Sequence, residues 1–468
     1  MTAPGSISLA RVTVAAPQRR IDVALPDGLV LAELLPHLLR HAGEAMADEG
    51  ETHGGWVLRR ATGTTLDTSR SLAAQGVRDG EVLHLAPGRL DWPEFAYDDV
   101  VEVIASGSRR SGHTWTNQAT RRTGFAVAGT TFAVGLVQAT LSGPPWGVAT
   151  AVCLGLAGLL AIVGVLVSRA FADARAGAAL AGFGLPFAFL GGLLLAAPEG
   201  VTLLRLGAPN VLLGSAALLV ASVVGYIGAG AVHRVFMAGI VAALMGTLAA
   251  TFSLAGMSAA GAAAIALTVV AGLLPGYPLF ATWLGKLPVP RLPDRAEDIL
   301  RERPMPERSA VFAAVARASE LLAGMLTGAA VVTVAATVVL VRTDSLAARL
   351  LAFAGAATLL LRARLFPAYA QRVPLIVGGV AGLVVLVVGA SAVAETTQAR
   401  VLIMIGVLIT GAAILLAGLV YSHERPSPYV GRIGDIVDVL VIMALIPLAC
   451  AATGVFSAIQ GLFASMSG

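Results

Sequence analysis

A chain that performs chemistry must gather acids, bases, nucleophiles or metal ligands at recognisable spacing, so its histidines, cysteines and carboxylates come first. Five of the 7 histidines precede residue 121, and His233 and His423 fall in short turns between apolar runs. No two histidines are expected to share a helix. Cys153 and Cys450 stand singly inside apolar runs, where a thiol packs as a small hydrophobe and offers neither a disulfide framework nor metal spacing. Glu199, Glu395, Asp435 and Asp438 lie at or near the ends of such runs. Ion-coupled transport places ionisable groups near the bilayer centre, and the runs are almost free of them. Neither a Gly-x-Ser-x-Gly elbow nor a Gly-x-x-x-x-Gly-Lys phosphate loop is present. The expectation is a protein that is not an enzyme and holds no metal and no cofactor.

Composition says what the residues do instead. The sequence is 57% hydrophobic and only 13% charged, against about 25% charged in soluble domains. Charge concentrates in residues 1–121, and Ala, Leu, Val and Gly dominate beyond, so Arg121 marks a change of solvent from water to lipid. Lys286 is the single lysine and every other basic residue is arginine, a bias of GC-rich bacterial genomes. No charged-then-apolar segment opens the chain, so no cleaved secretory peptide is expected.

Residues 1–90 read as a small α+β domain. Ile7–Val14 and Arg20–Leu25 alternate as strands, Asp27 is placed to cap a helix bearing Leu31, Leu34, Leu35, Leu38 and Leu39, and Trp56–Arg59 is a third strand. The closing segment, with Leu66, Leu72, a positive-φ position at Gly76, an Asp79-Gly80 turn, Leu83 and Leu85, has the spacing of a ubiquitin-like β-grasp domain. Pro36 should kink the helix. Without a free di-glycine tail the domain is a docking module, and its balanced charge argues against nucleic acid. Residues 91–121 form a connector with a short amphipathic helix at 98–104.

Residues 122–460 contain eleven apolar runs, near 124–142, 146–168, 176–197, 210–231, 235–254, 258–283, 319–341, 346–361, 373–393, 400–420 and 436–458. About 20 apolar residues cross the hydrocarbon core; the eighth run is short for this, and the sixth contains Pro275 and Pro278. With the N-terminus inside, fifteen basic residues fall in inside loops and four outside. That bias predicts a cytosolic N-terminus and an extracytoplasmic C-terminus. The long inside loop, 284–318, carries Arg291, Arg295, Arg301, Arg303 and Arg308, the candidate partner-docking residues. Gly324 with Gly328, and Gly378, Gly379 and Gly382, mark close helix approaches, more readily within the chain than between copies.

A ubiquitin-like head, an Asp98-Asp99-Val100-Val101 connector, eleven helices and a long loop after the sixth together closely resemble EccD, the polytopic membrane component of actinobacterial type VII (ESX) secretion systems. The resemblance implies a structural role in a bacterial inner-membrane complex with EccB, EccC and EccE. It implies two EccD copies enclosing a lipid-filled basin, with the heads and long loop meeting the EccC ATPase. Among paralogues it leans towards the one linked to iron acquisition. The competing reading is a secondary transporter with a regulatory head, its broken helix at Gly272–Pro278.

Overall fold

The computed structural model describes residues 9–16, 19–42, 55–88, 115–230, 232–288, 307–423 and 427–455. The chain divides into two compact units, Met1–Thr116 and Asn117–Gly468.

In the first unit, β1 (Leu9–Ala15) and β2 (Arg20–Pro26) form an antiparallel hairpin, followed by α1 (Leu31–Ala42), β3 (Trp56–Arg60) and β4 (Val82–Pro87). The sheet order is β2-β1-β4-β3, with β1 and β4 parallel at its centre. Alternation along β1 buries Ala10, Val12 and Val14, and the helical stripe of α1 buries Leu31, Leu34 and Leu38 against them. Leu66, Leu72, Leu83 and Leu85 complete this core. Gly76 and Gly80 have positive φ, as the turn chemistry requires.

Two expectations for the head need correction. Asp27 lies in the turn before α1, four residues short of Leu31, and is not its cap. The first helical N–H groups bond instead to the closing segment, Leu31 to the Arg70 carbonyl (3.1 Å) and Ala32 to Thr68 (2.9 Å). His37 and His41 do share α1, one turn apart, where His41 Nδ1 meets the His37 carbonyl at 2.8 Å and both rings are exposed.

The second unit is a helical bundle: α2 (Asn117–Leu141), α3 (Gly147–Ala170), α4 (Ala174–Leu194), α5 (Ala208–Ala229), α6 (His233–Leu254), α7 (Ala259–Leu273), α8 (Tyr277–Leu284), α9 (Arg308–Leu340), α10 (Leu346–Ala363), α11 (Tyr369–Val393), α12 (Thr397–His423) and α13 (Pro428–Thr453). Ten are long and apolar enough to cross a membrane, and α7 with α8, bent by 69°, makes an eleventh crossing if the pair is one span. Hydroxyl and carboxylate caps start several helices: Asp173 accepts from Ala176 N–H (3.0 Å) and Ser258 from Gly261 N–H (3.1 Å).

α9 is the centre of the bundle and packs on α6, α7, α8, α10 and α11. Glycines set those approaches. A Cβ on Gly324 would lie 2.5 Å from the Arg234 carbonyl of α6, and one on Gly328 would lie 2.7 Å from the Val241 side chain. Gly379 faces Leu360 and Ala356 of α10, and Gly382 faces Ala356. The small-residue pattern therefore serves packing within the chain. The 284–318 loop is shorter than expected, because α9 begins at Arg308. Ala314 and Ala318 are buried there, Ala318 beside Gly285 at the end of α8, and this packing extends the helix beyond its apolar run.

Candidate functional surfaces

One end of the bundle, called here the basic end, holds most of its arginines, and several are tied to backbone or carboxylate. Arg121 lies over the Phe125 ring, 5.6 Å from its centroid, and donates to both Asp173 carboxylate oxygens (2.6 and 2.8 Å). The Ala176 amide and then the Arg121 guanidinium hold the Asp173 carboxyl below the usual carboxylate range. Arg169, at the end of α3, donates to the carbonyls of Gly228 (3.2 Å) and Ile227 (3.1 Å), and Ser168 donates to that of Ala229. The last turn of α3 thus caps α5, whose final carbonyls have no intrahelical donors.

Two ion pairs join α10 to α13. Arg364 meets Asp435 at 2.7 Å and donates to the Gly431 carbonyl (3.1 Å). Arg362 lies 3.7 Å from Asp438, with both side chains only 13% exposed. The facing atoms, Arg362 Nε and Asp438 Oδ1, have no hydrogen-bond partner.

Of the expected docking arginines, Arg291, Arg295, Arg301 and Arg303 lie outside the described residues. Arg308 is the exposed first residue of α9. Sequence reasoning missed Glu320, although it is the one carboxylate of α9; its Oε2 is buried without a partner, as is His233 Nδ1, whose ring centroid is 4.9 Å from Tyr226. It also missed Ser215 and Ser222, buried on α5 with partnerless hydroxyls that face Gly246 and Gly239 of α6. Their seven-residue spacing was the available signal.

Among the described residues no group of three His, Cys, Asp or Glu side chains could hold a metal. A cleft in the bundle, about 250 Å³, is apolar, lined by Ser215, Met245, Gly246, Ala263, Val332 and Ala336 among others. Around the break between α7 and α8, residues 259–284 contain no Asp, Glu, His, Lys or Arg. Such a lining suits hydrocarbon. The outermost helices are bare: α2 buries no residue, and neither does the apolar window of α12.

Comparison with known proteins accounts for both units. Residues 120–462 match the EccD-like transmembrane domain, and residues 9–85 match the YukD protein of the WXG100 protein secretion system. The ESX-4 secretion system protein eccD4 of Mycobacterium tuberculosis, in strains CDC 1551 / Oshkosh and H37Rv, is 30% identical over 192 residues. That match covers 40% of this chain and 41% of eccD4, so the chain spans about two-fifths of the length of these relatives. In fold, the chain matches one from protomer 1 of the ESX-3 core complex, with a TM-score of 0.57 and 22% identity over 96% of this chain and 100% of that one. It also matches one from the MycP5-free ESX-5 inner membrane complex in State II, with a TM-score of 0.54 and 18% identity over 88% and 99%. With the larger unit matched almost from end to end, the chain belongs to the family of the EccD-like transmembrane domain.

Proposed function

We propose that this chain is the polytopic scaffold subunit of a type VII (ESX) secretion complex in the bacterial inner membrane. The observation that carries the reading is the union, in one chain, of a YukD-like head and an EccD-like helical unit. The apolar lining of the cleft suits a scaffold whose energy comes from another subunit.

In this reading the N-terminus is cytosolic and the C-terminus extracytoplasmic, since the basic end is then inside. The organisation is a cytosolic head in residues 1–90, a connector in 91–121 and a membrane unit in 122–460. The partners are a second copy of the chain and EccB-, EccC- and EccE-type subunits. The bare faces of α2 and α12 offer room for other helices or lipid, and the segment carrying Arg291, Arg295, Arg301 and Arg303 docks the EccC-type ATPase. The relatives come from ESX-3, ESX-4 and ESX-5 systems and do not single out the iron-acquisition paralogue.

Purification of the tagged chain from its host in mild detergent tests this. A large assembly containing an ATPase is expected, with loss of secretion on deletion. Recovery as a lone chain with secretion intact overturns the proposal.

A further inference from the structure

The short helix α8 departs from the direction of α7 after a three-residue break. α7 has 15 residues, about 22 Å of helix, which falls short of about 30 Å of hydrocarbon. The chain then bends by 69° at Leu274-Pro275-Gly276 into the 8 residues of α8. At that angle α8 advances only about 4 Å along the direction of α7. Its length therefore runs across the direction of α7, beyond about 22 Å of helix and a three-residue break.

The faces of α8 divide accordingly. Tyr277 and Ala281 are buried, and Gly285 lies against Ala318 of α9, leaving no room for a side chain. The other face presents Leu279 (74% exposed), Phe280 and Trp283 (77% exposed). α7 itself is largely enclosed, with only Ala259 and Gly272 exposed, so the apolar outer surface here belongs to α8. An exposed face with Phe and Trp has the chemistry of the headgroup–acyl boundary, where Trp is favoured.

The end of α8 adds a second, independent observation. The Lys286 N–H bonds to the Trp283 carbonyl (3.1 Å) and the Leu287 N–H to the Thr282 carbonyl (3.1 Å). This is a Schellman cap, whose left-handed position usually takes glycine. Here it is taken by the chain's single lysine, at φ 53°. A side chain there costs about 1 kcal/mol. The exposed ammonium is thereby placed one turn from Trp283, at the negative end of the helix dipole.

We propose that α8 is an in-plane membrane anchor: Leu279, Phe280 and Trp283 seat in lipid at the headgroup–acyl boundary, and Lys286 binds the phosphate of an anionic phospholipid. The site rests on the membrane-spanning character of the helices and is independent of the secretion role. It fixes the level at which the chain leaves the bilayer between α8 and α9.

Spin labels test it on the full chain in nanodiscs of phosphatidylglycerol or phosphatidylcholine. In a Cys153→Ala/Cys450→Ala background, single cysteines replace Leu279, Trp283 or Ala281, and accessibility to oxygen and to a nickel chelate gives depth. Labels at 279 and 283 should lie about 5–10 Å below the phosphates. Lys286→Glu should move the 283 label towards water in phosphatidylglycerol, Lys286→Arg should restore it, and both variants should leave it unmoved in phosphatidylcholine. A label at 283 near the bilayer centre overturns the proposal in favour of a crossing or re-entrant segment. Full access to the nickel chelate overturns it in favour of a protein-docking face. Equal behaviour of Lys286→Glu and Lys286→Arg in phosphatidylglycerol removes the phosphate contact.

Discussion

The two ion pairs between α10 and α13 should respond to mutation in the reverse order of their distances. Arg364 and Asp435 are closer, 2.7 Å against 3.7 Å for Arg362 and Asp438, but Asp435 is 70% exposed whereas Asp438 is 13% exposed. Asp435→Asn removes a screened contact worth about 0–1 kcal/mol. For the buried pair, the Coulomb attraction at 3.7 Å is about 4–5 kcal/mol with an effective dielectric of about 20. Desolvating two ions costs several kcal/mol each, and the facing atoms recover none of that through hydrogen bonds. The pair is therefore close to neutral as a pair and costly to break. Asp438→Asn strands the Arg362 charge and should destabilise by about 3–5 kcal/mol, whereas Arg362→Met with Asp438→Leu should be neutral or stabilising. Cooperative unfolding of the detergent-solubilised chain, followed by fluorescence or circular dichroism for each single and the double variant, gives the cycle. The reasoning fails if Asp438→Asn costs less than Asp435→Asn, or if the double variant loses as much as the single.

Ser215→Ala and Ser222→Ala should be nearly neutral in the same unfolding assay, because neither hydroxyl has a partner. Gly246→Ala and Gly239→Ala, which push a methyl onto those serines, should cost about 1–3 kcal/mol. In the head, the Ser69 hydroxyl and amide hold the Asp67 carboxyl below its ordinary 3.8. Stability from this contact is complete above that value and is lost as pH falls through the lower folded value. Ser69→Ala should move the loss to higher pH, read from an NMR titration of the Asp67 carboxyl. Reversing Arg295, Arg301 and Arg303 to Glu should reduce co-purification of the ATPase while membrane insertion is unchanged; unaltered co-purification would make the segment a plain connector.

Much of this fold was legible because lipid enforces simple rules. An apolar run of twenty residues has few alternatives to a crossing helix, so all eleven runs correspond to helices, with the sixth as the bent α7–α8 pair. The turn glycines Gly76 and Gly80 were legible for a local reason, since few other residues accept positive φ. The start of α9 was not, because its first turns are stabilised by Ala314 and Ala318 packing on a distant helix, which local pattern does not encode. The same holds for the start of α1, where backbone carbonyls from 68 and 70 replace the expected Asp27 cap. Of the candidate docking residues, only Arg308 falls on a described element. The half-buried Glu320 and the Arg362–Asp438 pair went unread because spacing along one helix does not reveal what faces it from another.

α9 runs unbroken for 33 residues, about 50 Å, some 20 Å longer than the hydrocarbon it traverses. A rod of that length, gripped along its middle by close glycine contacts to α6, cannot absorb a displacement by bending at a hinge, for it contains neither a proline nor a break. Any load applied at Arg308 must therefore reappear at Leu340, on the opposite face of the membrane, as a shift of the whole strut or of the helices that hold it.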